Sequence, residues 1–284
     1  MRLALLCGSS ARSMYVANVL AATHDLACIV SEVGRDWSRA RIRRNLRPRV
    51  FWSRFARACS PSRRRRRATE ASILFGRQRP HWPSDVSLFR VRNVNDASVV
   101  TTLGECGVGG VAVFGTSLLR RAEFFSLRAA ILNLHGGISP EYRGADGVFW
   151  AVHSQDWENI GGTVHFVTPR IDGGALVARY RPALKGGQSE AELVCAVLRG
   201  GAHLLSEAFA RLERGEAFGV EQPHRGRLFQ AHHRTRDAER RVRRVLADST
   251  AQAIELPERV EWFVATKTVQ RGSEAVEREV LACR

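Results

Sequence analysis

Arg2-Leu3-Ala4-Leu5-Leu6-Cys7 runs into the polar turn Gly8-Ser9-Ser10, then into a stretch with Met14, Val16, Val19 and Leu20 among its apolar positions, then into Leu26-Ala27-Cys28-Ile29-Val30. A short apolar run without alternation is the pattern of a strand covered on both faces, and recurrence at three and four residues is that of a helix. Strand, helix and strand within thirty residues make a βαβ unit, so a parallel sheet is predicted.

Outward from that unit the same alternation continues. A helix is predicted over Asn93–Leu103, strands over Val108–Phe114 and Ala129–His135, and a helix over Gly147–Ser154. Gly162–Thr168 and Ala175–Tyr180 read as strands on either side of the turn Ile171-Asp172-Gly173-Gly174. Ser189–Leu212 reads as a helix in which Ser189 and Glu192 have capping-box spacing. Residues 223–245 are polar and basic with helical character near their end, and Val260–Val264 is a short strand without an obvious neighbour. The fold class predicted is α/β: a Rossmann-like, mostly parallel twisted sheet with helices on both faces. Residues 1–224 form the main unit and residues 225–284 a short C-terminal extension.

The net charge of +16 is concentrated. From Arg35 to Arg92 there are 18 arginines against three acids, a net +15 that leaves about +1 for everything else. Adjacent like charges repel, so the arginine run Arg63–Arg67 is predicted to lie in a mobile surface loop, within a basic insertion spanning about 35–92, with some helix around Val50–Ala58. Such a segment attracts polyphosphates, tRNA among them.

The six cysteines show no C-x-x-C pair and no metal-ligand spacing, and several sit in apolar stretches where a free thiol packs as a small hydrophobe. Reduced thiols, a cytoplasmic location and no metal site are expected. No apolar run approaches the roughly 18 residues that cross a bilayer. The opening apolar stretch is short for a secretion signal, and Leu6 precedes Cys7 where a lipidated cysteine needs a small residue.

Asn133 and His135 are two apart on a predicted strand, so they share a face, and Gly136-Gly137 ends the strand just beyond them. Ligands in open α/β sheets bind at carboxyl ends of strands, and an amide beside an imidazole suits a developing oxyanion. Read alone, such a pair more often serves packing than chemistry, and Asp172-Gly173 alone makes a turn.

Together, Asn133-Leu134-His135, Ser139-Pro140-Glu141-Tyr142-Arg143-Gly144 and Gly162-Thr163-Val164-His165-Phe166-Val167 leading to Ile171-Asp172-Gly173-Gly174 resemble the folate-dependent formyltransferase family. That family includes glycinamide ribonucleotide, methionyl-tRNA and amino-sugar formyltransferases. The likeness spans about residues 108–182, with the first thirty matching more loosely. It implies Asn133, His135 and Asp172 as a reactive trio and N10-formyltetrahydrofolate as co-substrate. It further implies a pterin pocket walled by Leu118, Leu119, Ile131, Val167 and Ile171, with backbone contacts near 117–119 and 168–172. His165 matches a position near the site, or packs a strand.

The chain departs from the family in Gly136-Gly137, where many relatives have Pro-Ser, and in Pro169. Gly8-Ser9-Ser10 is not the longer phosphate loop of the glycinamide ribonucleotide enzymes. The resemblance implies formyl transfer to a small amine, an amino-sugar nucleotide or a specialised metabolite. Methionyl-tRNA is the runner-up acceptor; those enzymes carry a further closed-barrel domain, for which the residues after 224 are short. Two further alternatives are hydrolysis of formyltetrahydrofolate and a catalytically retired scaffold that binds nucleic acid.

Overall fold

A computed structural model of the chain describes residues 1–33 and 61–265. β1 (Leu3–Gly8), α1 (Ala11–Thr23) and β2 (Leu26–Glu32) form the expected unit, with Ser10 capping α1 through the Ser13 amide. Leu3, Ala4, Leu5, Leu6 and Cys7 have no exposure, because β1 lies mid-sheet with helices over both faces. Each leucine so placed contributes roughly 2 kcal/mol.

α2 (Pro61–Phe75) and β3 (Ser87–Val91) follow, then α3 (Ala97–Glu105), β4 (Gly110–Phe114), α4 (Ala122–Phe125) and β5 (Ala130–His135). β6 (Tyr142–Gly144), α5 (Gly147–His153), β7 (Gly162–Phe166), β8 (Leu176–Arg181), β9 (Leu184–Lys185) and α6 (Glu190–Glu213) come next. β10 (Arg227–Phe229), α7 (Arg236–Ala247), α8 (Ser249–Gln252), β11 (Glu255–Leu256) and β12 (Arg259–Trp262) complete the described elements.

Eight strands make the main sheet in the order β12-β8-β7-β5-β4-β1-β2-β3. From β5 to β3 neighbours are parallel, and β7, β8 and β12 add an antiparallel edge. One face carries α1, α2 and α6 over a core that includes Leu5, Val16, Leu132 and Phe209, and the other carries α3 and α4 over Leu6, Val99, Val111 and Ile131. A smaller core joins α5, α7 and β10 through Phe149, Trp150, Phe229 and Val242. α6 is long and apolar enough to cross a membrane by composition, yet much of it is buried against the sheet and α2.

Three expectations need correcting. The run Arg63–Arg67 lies in helix α2, not in a loop. Its helix is secured by tertiary contacts that outweigh repulsion among exposed guanidiniums: Leu74 is buried, Cys195 of α6 packs below, and buried Glu70 pairs with Arg12 at its two oxygens and with Arg66 at 3.5 Å. Residues 61–92 are therefore part of the fold, since β3 pairs in parallel with β2, and not an insertion. The predicted helix at Val50–Ala58 lies outside the described residues. Nor do the described residues after 224 stand apart as an extension: β10 pairs with β6, and β12 forms an edge of the main sheet against β8.

The helix predicted over Asn93–Leu103 starts later, at Ala97, because the Asn93 side chain accepts from the Asn95 amide and the Asn95 side chain bonds instead to the Leu118 carbonyl and the Arg120 amide of a distant loop. At α6 the cap is as read: the Ser189 hydroxyl accepts from the Glu192 amide at 3.3 Å, and Glu192 returns a bond to the Ser189 amide at 2.7 Å. Ser189→Ala is expected to lower stability by about 1 kcal/mol, readable as a shift in the urea midpoint at constant slope.

Candidate active site

β5 and β7 build the floor of the site. In their antiparallel register Asn133 faces His165 and His135 faces Thr163, so Asn133, His135 and His165 lie on one sheet face. Asn133 Nδ2 stands 3.0 Å from His165 Nε2. His165 Nδ1 lies 2.8 Å from the Phe166 carbonyl and must donate there, since a carbonyl only accepts. Its Nε2 is left facing the Asn133 side-chain amide.

His135 is 7% exposed and held at both ring nitrogens. Nε2 donates to the Tyr142 carbonyl at 2.7 Å, while Nδ1 is 3.5 Å from Asp172 Oδ2.

Asp172 arrives from the loop between β7 and β8, whose base is closed by the Phe166 amide bonding the Ala175 carbonyl at 2.9 Å. Its backbone is left-handed, φ 46°, a conformation that costs a non-glycine residue about 1 kcal/mol. The surroundings fix it there. Gly144 N–H donates to Oδ2 at 2.7 Å, the Gln222 amide donates to its carbonyl at 2.8 Å, and the buried Arg143 guanidinium clamps the adjacent Ile171 carbonyl. Oδ1 faces His165 Nε2 at 3.6 Å, so one carboxylate sits between two imidazoles. Burial alone would raise the Asp172 carboxyl; the charge of His135, the bond and charge of His165 and the Gly144 amide outweigh it and hold it well below the usual carboxylate range.

The trio thus converges, with His165 as a fourth member. It opens on a cavity of about 510 Å³. Leu118, Leu119, Val167 and Ile171 line one side as expected, and Ile171 is 41% exposed, an apolar surface ready to be covered by a flat ring. Ile131 does not line it: Ile131 packs in the core below, where its carbonyl takes the Val167 amide. Some expected backbone contacts are already used, since the Leu118 carbonyl accepts from Asn95 and the Ile171 carbonyl from Arg143. The opposite wall includes Arg12, Asp146, Phe149 and Glu190. Sequence reading missed these and Gln222, because only their tertiary placement gives them a role.

A family model described as formyl transferase matches residues 56–209, which is more than half of the chain. The chain belongs to the formyl transferase family. Its matched region holds the trio and most of the cavity wall. Curated relatives include a methionyl-tRNA formyltransferase of Chlorobium chlorochromatii, 25% identical over 152 residues, or 54% of this chain and 47% of that protein. One from Rhodopirellula baltica is 30% identical over 133 residues, 46% of this chain and 39% of that protein. The chain spans half or less of the length of these relatives.

Among solved structures, a sugar N-formyltransferase from a Shewanella species superposes with a TM-score of 0.55 at 12% identity, covering 94% of this chain and 99% of that one. Glycinamide ribonucleotide transformylase 1 of Symbiobacterium toebii gives 0.50 at 18% identity, with 78% and 91% covered. At such identities the likeness shows the shared fold.

Proposed function

We propose that this protein is an N-formyltransferase that moves the formyl group of N10-formyltetrahydrofolate to a small amine. The observation that carries the reading is the carboxylate of Asp172 held between two imidazoles beside Asn133, at the edge of an apolar-walled cavity. Leu118, Leu119, Val167 and Ile171 fit one face of a pterin ring, and the folate, when bound, supplies an activated formyl carbon.

The chain's own groups supply charge and position. Asn133 Nδ2 has a hydrogen to donate to the formyl oxygen as negative charge builds there, and His135, fixed between Tyr142 and Asp172, adds positive charge nearby. Asp172 is a weak proton acceptor when held so far down, so its first contribution is to attract the positive charge growing on the attacking nitrogen. The new bond joins amine nitrogen to formyl carbon, the bond from that carbon to N10 breaks, and the proton lost by the amine ends on N10, with water as relay. Holding amine and folate in one cavity supplies the other large contribution.

Asn133→Ala is expected to lower kcat by about 10²–10³-fold while folate binding stays unchanged, checked by steady-state rates and a folate titration. The reading itself is tested by incubating the full chain with N10-formyltetrahydrofolate and a panel of small amines and amino sugars, looking by mass spectrometry for one added formyl. Formate release without any formylated amine contradicts it.

Methionyl-tRNA is a second acceptor to test, because the curated relatives carry that name and Arg64, Arg65 and Arg67 are exposed on α2. Against it stands Asp146 in the cavity lining, whose carboxylate repels phosphate. Formylation of methionyl-tRNA with no small amine modified would reverse the preference.

A further inference from the structure

The loop from Gly144 to Gly147 carries a carboxylate that the trio does not use. Asp146 lines the cavity in left-handed backbone, φ 60° and ψ 42°, directly before α5. Its side chain makes no capping bond to that helix. Gly144, whose amide holds Asp172, is two residues away, so the Cα atoms of 144 and 146 are separated by no more than about 7 Å. Asp146 is therefore beside the reacting centre, on the wall opposite the apolar one.

Among the described residues its ion-pair partner is Arg234, whose Nη1 is 3.6 Å from Oδ1. That guanidinium is already committed. Nη1 and Nη2 each donate to Glu190 at 2.9 Å, Nε donates to Glu239 at 3.1 Å, and its plane lies 3.8 Å over Phe149. Arg12, which also lines the cavity, gives Nε and Nη2 to Glu70. Among the described residues, the linked set holds Glu70, Asp146, Glu190 and Glu239 against Arg12, Arg66 and Arg234, one negative charge in excess. Asp146, with its side chain 22% exposed and its ion pair to Arg234 made through Oδ1, is where, among the described residues, that excess meets the cavity.

We infer that Asp146 reads the acceptor: its carboxylate binds a second, cationic nitrogen on a small amine, a few bonds from the nitrogen that is formylated. The inference rests on the N-formyltransferase reading and narrows its acceptor class. A charge-assisted bond in a partly enclosed cavity distinguishes a diamine from a monoamine of equal size by about tenfold in affinity.

The test uses three probes of matched length, 1,4-diaminobutane (a dication at neutral pH), 4-aminobutan-1-ol and butylamine, and measures their binding to the full chain by ligand-observed NMR. Wild type is expected to bind 1,4-diaminobutane about tenfold more tightly than butylamine, with 4-aminobutan-1-ol between them. Asp146→Asn loses that preference and still binds N10-formyltetrahydrofolate. Asp146→Gly is the control for folding, because glycine occupies φ 60° without penalty; it is expected to melt no lower than wild type and to lose the preference as well. Equal binding of the three probes by wild type, no binding of any, or a preference kept in both variants overturns the inference. Formyl transfer to an amine, undiminished in both variants, would sink this role for Asp146 and leave the N-formyltransferase reading standing, whereas a diamine preference without any transfer would do the reverse.

Discussion

Asp172→Asn is expected to lower formyl transfer by about 10³-fold or more, the largest single effect in the site. The asparagine fits the same space and its oxygen still accepts from the Gly144 amide, so the loop keeps its place. What disappears is the negative charge between His135 and His165. His135 then has no anion opposite Nδ1, and nothing offsets the positive charge that grows on the attacking nitrogen. Folate affinity should fall little, because the apolar wall of Leu118, Leu119, Val167 and Ile171 is untouched. A large fall in kcat with a near-constant folate dissociation constant is the signature, and a variant at near-normal rate removes Asp172 from the mechanism.

The same substitution has a pH signature in stability. The Asp172 carboxyl is depressed in the folded protein, so its contribution is fully present above its unfolded value of about 4 and is lost as pH falls through the lower folded value. Urea midpoints of wild type and Asp172→Asn are therefore expected to differ most near neutrality and to converge under acid conditions. A gap that widens below pH 4 or so contradicts the assignment.

Gly144→Ala is expected to cost about 2–4 kcal/mol and to cut activity with it. Gly144 has φ 89°, a region that alanine enters with strain, and a Cβ built there meets the Phe229 carbonyl. Relief requires β6 and β10 to part, which moves the amide that fixes Asp172. Chemical denaturation reads the stability loss, and turnover at a temperature where the variant is fully folded reads the loss of position. An unchanged midpoint refutes the close approach of these two strands.

Much of this arrangement was legible before any coordinates, for a local reason. β1 and β2 are buried on both faces, so their apolar runs stand out, and the Ser189–Glu192 pair acts within three residues of itself. Asn133 and His135 were placed on one face by strand period alone, and their partners were not. His165 meets Asn133 only because β5 and β7 run antiparallel, which no spacing within either strand encodes. The arginine run in α2 misled because repulsion is visible in a sequence while the buried Glu70 that joins Arg12 to Arg66 is not. β12 had no visible neighbour because it is mostly exposed and pairs with a strand some eighty residues earlier. Ile131 was assigned to the pterin pocket by resemblance, and the structure puts Val167 over it.

In the proposed mechanism Asn133, His135 and Asp172 carry a formyl group from folate to nitrogen. A single-turnover reaction with carbon-13 in the formyl group of N10-formyltetrahydrofolate, followed by NMR, asks where that carbon goes. The label is expected on an amine as a formamide with wild type, and to remain on folate with Asp172→Asn. Label appearing as free formate with wild type, or reaching the amine equally fast with the variant, contradicts it.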